Sequence, residues 1–269
     1  GLSVSQINAG LNYLLPDIIP VNTTIQVVAI ALVTSAALVS VLAGMDKGVK
    51  RLSILNMVLA TALMVFVFVV GPTIFILNAF MENTGSYLGN IVERTFSLQA
   101  YENSDWIGSW TLFIFAWTIA WAPFVGLFIA KISRGRTIRE FTFGVLLIPM
   151  LILFFWFTTF GGVAIHMELA SAVTGISPGL VEAVQADTGS AIFKLVEYYP
   201  LAKPITLMIV VMIMLWFVTS SDSASFVIDM LTAGGDTNPP KIQRLFWATT
   251  EGVIAAILLA AGGLSALQA

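Results

Sequence analysis

The chain of 269 residues contains no cysteine. Disulfides, thiol nucleophiles and cysteine-bound metals are therefore excluded, although the absence says little about compartment. A single histidine, His166, leaves no room for a histidine metal cluster. Charged residues make up only 10% of the chain, against about a quarter in a soluble domain. The formal net charge of −3 is small and implies no nucleic acid or other polyanion as partner. Apolar residues fill the gap: 58% are hydrophobic and the mean hydropathy is +0.94. Such a composition belongs to a polytopic membrane protein. The first residue is Gly1 and no signal peptide precedes it, so the chain is expected to be a piece of a longer one.

The apolar runs are long enough to cross a bilayer, which takes about twenty helical residues. Six spans are expected, at about 23–45, 54–80, 106–130, 141–165, 204–233 and 245–261, within one transmembrane domain over residues 1–269. Pro72 should kink the second and Pro149 interrupt the fourth. Residues 1–22 read as an amphipathic or interfacial segment, and 86–96 and 178–198 as short helices outside the spans. The basic residues agree with six alternating spans. Nine of twelve fall in three loops that alternation puts on one side: Lys47, Lys50 and Arg51; Lys131, Arg134, Arg136 and Arg139; Lys241 and Arg244. The positive-inside rule makes loops 46–51, 131–140 and 234–244 cytoplasmic, in a multi-pass protein of the cell membrane. The arginine-rich loop could also meet anionic lipid.

The stretch SWTLFIFAWTIAWAPFVGLFIAKISRGRTIRE (109–140) stands out. Trp117 and Trp121 are four apart and share a helix face, with Trp110 and Phe124 two turns away on either side of Trp117. Aromatic faces attract a cation that has no N–H to donate, quaternary ammonium above all. The plain alternative is packing or lipid-facing aromatics, with Trp110 as an interfacial anchor. A second stretch, TSSDSAS (219–225), follows a long apolar run. Its hydroxyls either bond back to their own helix or offer hard oxygens to a cation such as sodium. Asp222 lies near the end of span five, where an acid either functions or pairs structurally. Glu251 sits inside span six with no charged neighbour in sequence and no evident role.

Residues 108–140 resemble the eighth helix and following loop of the betaine/carnitine/choline transporter family. The match runs through Ser109, Trp110, Thr111, Leu112 and Trp117 and continues in ISRGRTIREF (132–141). It departs at Ile114, where the family has an aromatic, and at Phe115 and Thr118, where it has Trp. INAGLNYLL (7–15), KGVKRLSILNMVLA (47–60), FVVGPT (68–73), FGG (160–162) and TSSDSAS are similar to family segments in the same order. The resemblance implies an all-α fold of twelve helices, ten of them in a five-plus-five inverted, LeuT-like repeat. Helices six to eleven would lie in this chain.

The implied activity is secondary active transport of a quaternary-ammonium or sulfonium zwitterion: a glycine betaine-like compatible solute, choline or carnitine. The implied substrate residues are Trp117 and Trp121 around the cationic head, with Thr118 and Phe124 beside them. Sodium, as coupling ion and in the absence of any other cofactor, would meet the Trp216 carbonyl and the Thr219 and Ser220 hydroxyls. A sodium-independent branch of the family carries an arginine near Met57, and here no basic residue lies between Arg51 and Arg94. The family also implies a homotrimer in contact with membrane lipid, and no enzyme. The rivals are a sodium-independent exchanger, a proton-coupled relative using Glu251 or Asp222, an intramembrane enzyme, and a channel or structural subunit.

Overall fold

The structure, a computed structural model, describes residues 2–43, 49–102, 105–175, 177–236 and 239–268. Met45, Lys47, Thr237 and Asn238, which the sequence reading used for a span end and two loops, lie outside the described residues. All regular structure among the described residues is helical. Six helices are long and apolar enough to cross a membrane: Thr23–Ser40, Lys50–Val70, Ile107–Ile132, Ile138–Ser171, Ala202–Thr232 and Lys241–Gly262. The expected polytopic all-α class is therefore observed. The chain divides into two compact units, Gly1–Gly71 with Val163–Ala269, and Pro72–Gly162.

The first unit is built around α12 (Ala202–Thr232). Against it pack α1 (Leu2–Leu14), α2 (Thr23–Ala43), α3 (Val49–Val70) and α13 (Lys241–Gln268), and α13 also packs along α2. The buried positions follow helical spacing: Val4, Ile7 and Asn8 on α1, Ile30, Val33 and Ala37 on α2, Leu63 and Val67 on α3. The opening segment thus does more than lie at an interface; one face of α1 is core. Gly10 explains how close it comes, since a Cβ there would strike the Val210 and Phe193 side chains. The turn into α2 is held by two asparagines. Asn8 donates from Nδ2 to the Pro20 carbonyl (3.0 Å) and accepts from the Asn22 N–H (3.1 Å), while Asn22 Oδ1 accepts from the Ile25 N–H (2.9 Å), a side-chain cap of the new helix.

In this unit α9 (Val163–Thr174), which holds the end of the span Ile138–Ser171, runs on past His166. The short α10 (Leu180–Ala186) and α11 (Ala191–Val196) follow, joined by a 3-10 turn at Thr188–Ser190. Glu168 Oε1 accepts the N–H groups of Leu180 and Val181 (2.8 and 3.1 Å), two of the unpaired donors at the start of α10. Lys194 pairs with Glu197 at 2.8 Å, and that hydrogen bond raises the ammonium above its usual range.

The second unit begins where Gly71–Pro72 ends α3, since proline lacks the N–H that the next turn needs. It contains α4 (Thr73–Gly89), α5 (Ile91–Phe96), α6 (Phe113–Ile132), α7 (Ile138–Thr142) and α8 (Ile148–Phe157). Two edge-on ring pairs join α4 to α8: Phe80–Phe155 (5.5 Å between centroids) and Tyr87–Phe154 (5.2 Å). Pro149 lies in the first turn of α8, and π-helical turns at Phe143–Leu147 and Thr158–Gly162 flank that helix. A further π-helical turn, Ile107–Leu112, leads into α6.

Candidate functional site

The tryptophan face lies on α6, which holds Pro123 without breaking. None of its residues is buried. Trp117 and Trp121 are 46% and 45% exposed, so each ring is roughly half open. Their ring partners are local: Phe113 meets Trp117 edge-on at 5.5 Å, and Phe124 meets Trp121 at 6.4 Å. One stacking is absent from the sequence reading, Trp106 on Trp110 at 5.6 Å; the i, i+4 spacing was its available signal. Thr118 donates its hydroxyl to the Ile114 carbonyl at 2.8 Å, so that hydroxyl is already committed within its own helix. The helix ends at Lys131 and Ile132, and the loop turns at Gly135 (φ +86°). A capping box starts α7: Thr137 Oγ1 accepts the Glu140 N–H (3.2 Å) and Glu140 Oε2 accepts the Thr137 N–H (2.9 Å).

The hydroxyl-rich stretch lies on α12 and presents two faces. Trp216 and Ser220, four apart, are exposed. The Thr219 hydroxyl donates to the Trp216 carbonyl at 3.0 Å, bringing two of the three expected sodium ligands together. The donor set is one carbonyl and two hydroxyls on a single turn. These are hard oxygens suited to an alkali cation, and by themselves an incomplete shell. The opposite face is buried and packs toward α13 and α2. There Ser225 and Ser221 donate to Glu251 Oε2, at 2.9 and 3.4 Å. Asp222 is 3% exposed, and neither of its carboxyl oxygens has a partner in hydrogen-bonding geometry, although Ser40 of α2 lies beside it. One turn pair further on, Gln243 donates to the Asp229 carbonyl (3.1 Å) and to Thr232 Oγ1 (2.7 Å), and Trp247 Nε1 donates to the same hydroxyl (3.1 Å). Glu251, without a role in the sequence reading, proves to be one end of a cross-helix hydrogen-bond set. No sequence-local pattern could have shown this, because its partners are 26 and 30 residues away.

Six apolar spans and a composition poor in charge define a multi-pass helical membrane protein. The family model described as "BCCT, betaine/carnitine/choline family transporter" matches residues 1–269. The chain belongs to that family. It is 43% identical over 270 residues to the glycine betaine transporter OpuD of Bacillus subtilis, covering all of this chain and 51% of that protein. A glycine betaine transporter of Acinetobacter baylyi is 44% identical over 268 residues, with 40% of that protein covered. A glycine betaine/proline/choline transporter of Vibrio parahaemolyticus is 42% identical over 269 residues, with 47% covered. The chain thus spans about half the length of the curated relatives it matches. The relatives are named as transporters, not enzymes.

Proposed function

We propose that this chain forms part of a secondary transporter that moves a quaternary-ammonium or sulfonium zwitterion, glycine betaine or a close analogue, by alternating access about a midplane site. The observation that carries the reading is the line of open indole faces on α6, with Trp117 and Trp121 nearly half exposed in a helix otherwise made for the membrane. A permanently cationic head without N–H donors is the ligand such faces suit. Trp117 and Trp121 clasp that head, with Phe124 and Thr118 at its side. The names of the relatives, several of them glycine betaine transporters, support the substrate class. Coupling to sodium is part of the proposal, with the Trp216 carbonyl and the Thr219 and Ser220 hydroxyls as its ligands on α12. A homotrimer surrounded by lipid completes it.

The test uses the full-length parent protein in liposomes. Uptake of labelled glycine betaine is measured with and without an inward sodium gradient, in wild type and Trp121→Ala. Sodium-driven uptake that the substitution cuts by roughly tenfold is the expected result. Uptake that ignores sodium would retire the coupling and favour the exchanger or proton-coupled reading. Inert betaine, choline, carnitine and sulfonium analogue together would retire the substrate class. Absence of any substrate-dependent tryptophan quenching would then favour a channel or structural subunit.

A further inference from the structure

Glu251 lies ten residues into α13, and Asp222 ten residues from the end of α12. At 1.5 Å per residue each is roughly 15 Å from a helix end, near the middle of a bilayer core about 30 Å thick. A carboxylate there is costly unless something positive or several donors meet it. Glu251 Oε2 has two serine hydroxyls, whereas Oε1 is buried and has no hydrogen-bond partner. Asp222 is a second buried acid whose oxygens are both unpartnered, close enough to Glu251 to act on it through space. Asp229 adds negative charge from the same face of α12. The described residues of α2, the third helix packed here, carry no ionisable side chain. The basic residues of α12 and α13 are Lys203, Lys241 and Arg244, all toward helix ends, and Arg244 acts on Asp229. Gly252 brings α13 hard against α2, where a Cβ would sit 2.5 Å from Thr34 Oγ1. The Glu251, Ser221 and Ser225 oxygens meet between α12 and α13, and α2 packs against both helices.

We propose that Glu251, Ser221 and Ser225, with Asp222 beside them, form a binding site for a monovalent alkali cation, sodium in the first instance, between α12 and α13. Carboxylate and hydroxyl oxygens are the hard donors such an ion takes. The site is distinct from the Trp216–Thr219–Ser220 turn: it occupies the buried face of α12, whereas that turn offers the exposed one. It takes from the proposed function only the identity of the cation, and it stands whether or not betaine is the substrate.

The experiment is equilibrium binding of radioactive sodium to the full-length protein in detergent, with potassium balancing ionic strength. Wild type is compared with Glu251→Gln, with the Ser221→Ala/Ser225→Ala double variant, and with Thr219→Ala. Glu251→Gln should lose one bound equivalent, and the serine double variant should keep the carboxylate but hold that equivalent several-fold more weakly. Thr219→Ala should lose a different equivalent, so the two sites fail separately. Should Glu251→Gln not yield folded protein by size exclusion, the serine variant decides alone. Wild-type stoichiometry and affinity in the folded Glu251 and serine variants overturns the proposal. So does a wild type that binds no proton-independent sodium equivalent at this site but takes up a proton that Glu251→Gln does not, which would make Glu251 a proton site.

Discussion

α6 and α12 are similarly apolar and both long enough to span, yet the chain treats them in opposite ways. Ten residues of α12 are buried, among them Thr206, Asp222, Ser225 and Asp229; α6 buries none. Lipid tails are as apolar as leucine, so hydrophobicity gives helices in a bilayer no reason to associate. Close packing and polar contacts decide instead. α12 has both: Val210 lies against Gly10, and Ser221 and Ser225 reach across to α13. The one hydroxyl in the middle of α6, on Thr118, is spent on its own backbone, and Trp117 and Trp121 meet Phe113 and Phe124 of the same helix. Among the described residues one helix is packed core, and the other leaves its aromatic surface uncovered.

The comparison breaks first if stability does not follow it. Leu63→Ala, on α3 where it packs toward α12, removes a side chain that is fully buried. The cavity should cost about 3 kcal/mol, toward the low end for such changes because lipid softens the transfer part. A thermal melt of the full-length protein in detergent should show a clear drop. Trp121→Ala in the same assay should barely move the transition. If the two variants melt alike, α6 is as much core as α12 and the distinction is wrong.

The second expectation concerns the asparagine link between α1 and α2. Asn8→Ala strands the Pro20 carbonyl and the Asn22 N–H. Losing both hydrogen bonds of this fully buried side chain, at about 1 kcal/mol each, costs about 2 kcal/mol. Hydrogen exchange of the amides in 19–25 should accelerate with this variant, while those of α6 stay unchanged. Uniform exchange across both regions would show that α1 is not anchored through this residue.

The third turns from stability to binding. If the open indoles are for a cation, Trp121→Ala should weaken betaine-dependent tryptophan quenching or uptake by roughly tenfold, about 1.4 kcal/mol, within the range of a desolvated cation–π contact. Trp121→Phe should retain most of it. Equal loss with both would point to ring size and packing rather than charge.

The number of spans was legible because twenty-residue apolar runs admit few other readings. The second, read as 54–80 with a kink at Pro72, instead ends at Val70 before that proline. The tryptophan line was legible because i, i+4 spacing on a helix is geometry. What sequence could not give was which helix packs. Gly126 on α6 and Gly252 on α13 look alike as small residues in apolar helices. A Cβ at Gly126 would meet nothing within 4 Å, and one at Gly252 would strike Thr34. Glu251 stayed without a role for the same reason: its meaning lies in Ser221 and Ser225, a helix away. The buried face of α1 was likewise hidden, since INAGLNYLL reads as easily for an interface as for a core.

The smallest effect belongs to Thr118 on α6. Its hydroxyl sits on the open helix, where a hydroxylated substrate could reach it, but it already donates to the Ile114 carbonyl at 2.8 Å. Valine keeps the shape and removes only that bond. Thr118→Val should therefore change stability by less than about 0.5 kcal/mol, as surface substitutions do, and leave betaine uptake within about twofold. A large fall in uptake with an unchanged melt would mean that the hydroxyl leaves its own carbonyl during transport to meet the substrate. Thr118 would then be a specificity residue, and α6 would be recognising its cargo by a hydrogen bond as well as by its rings.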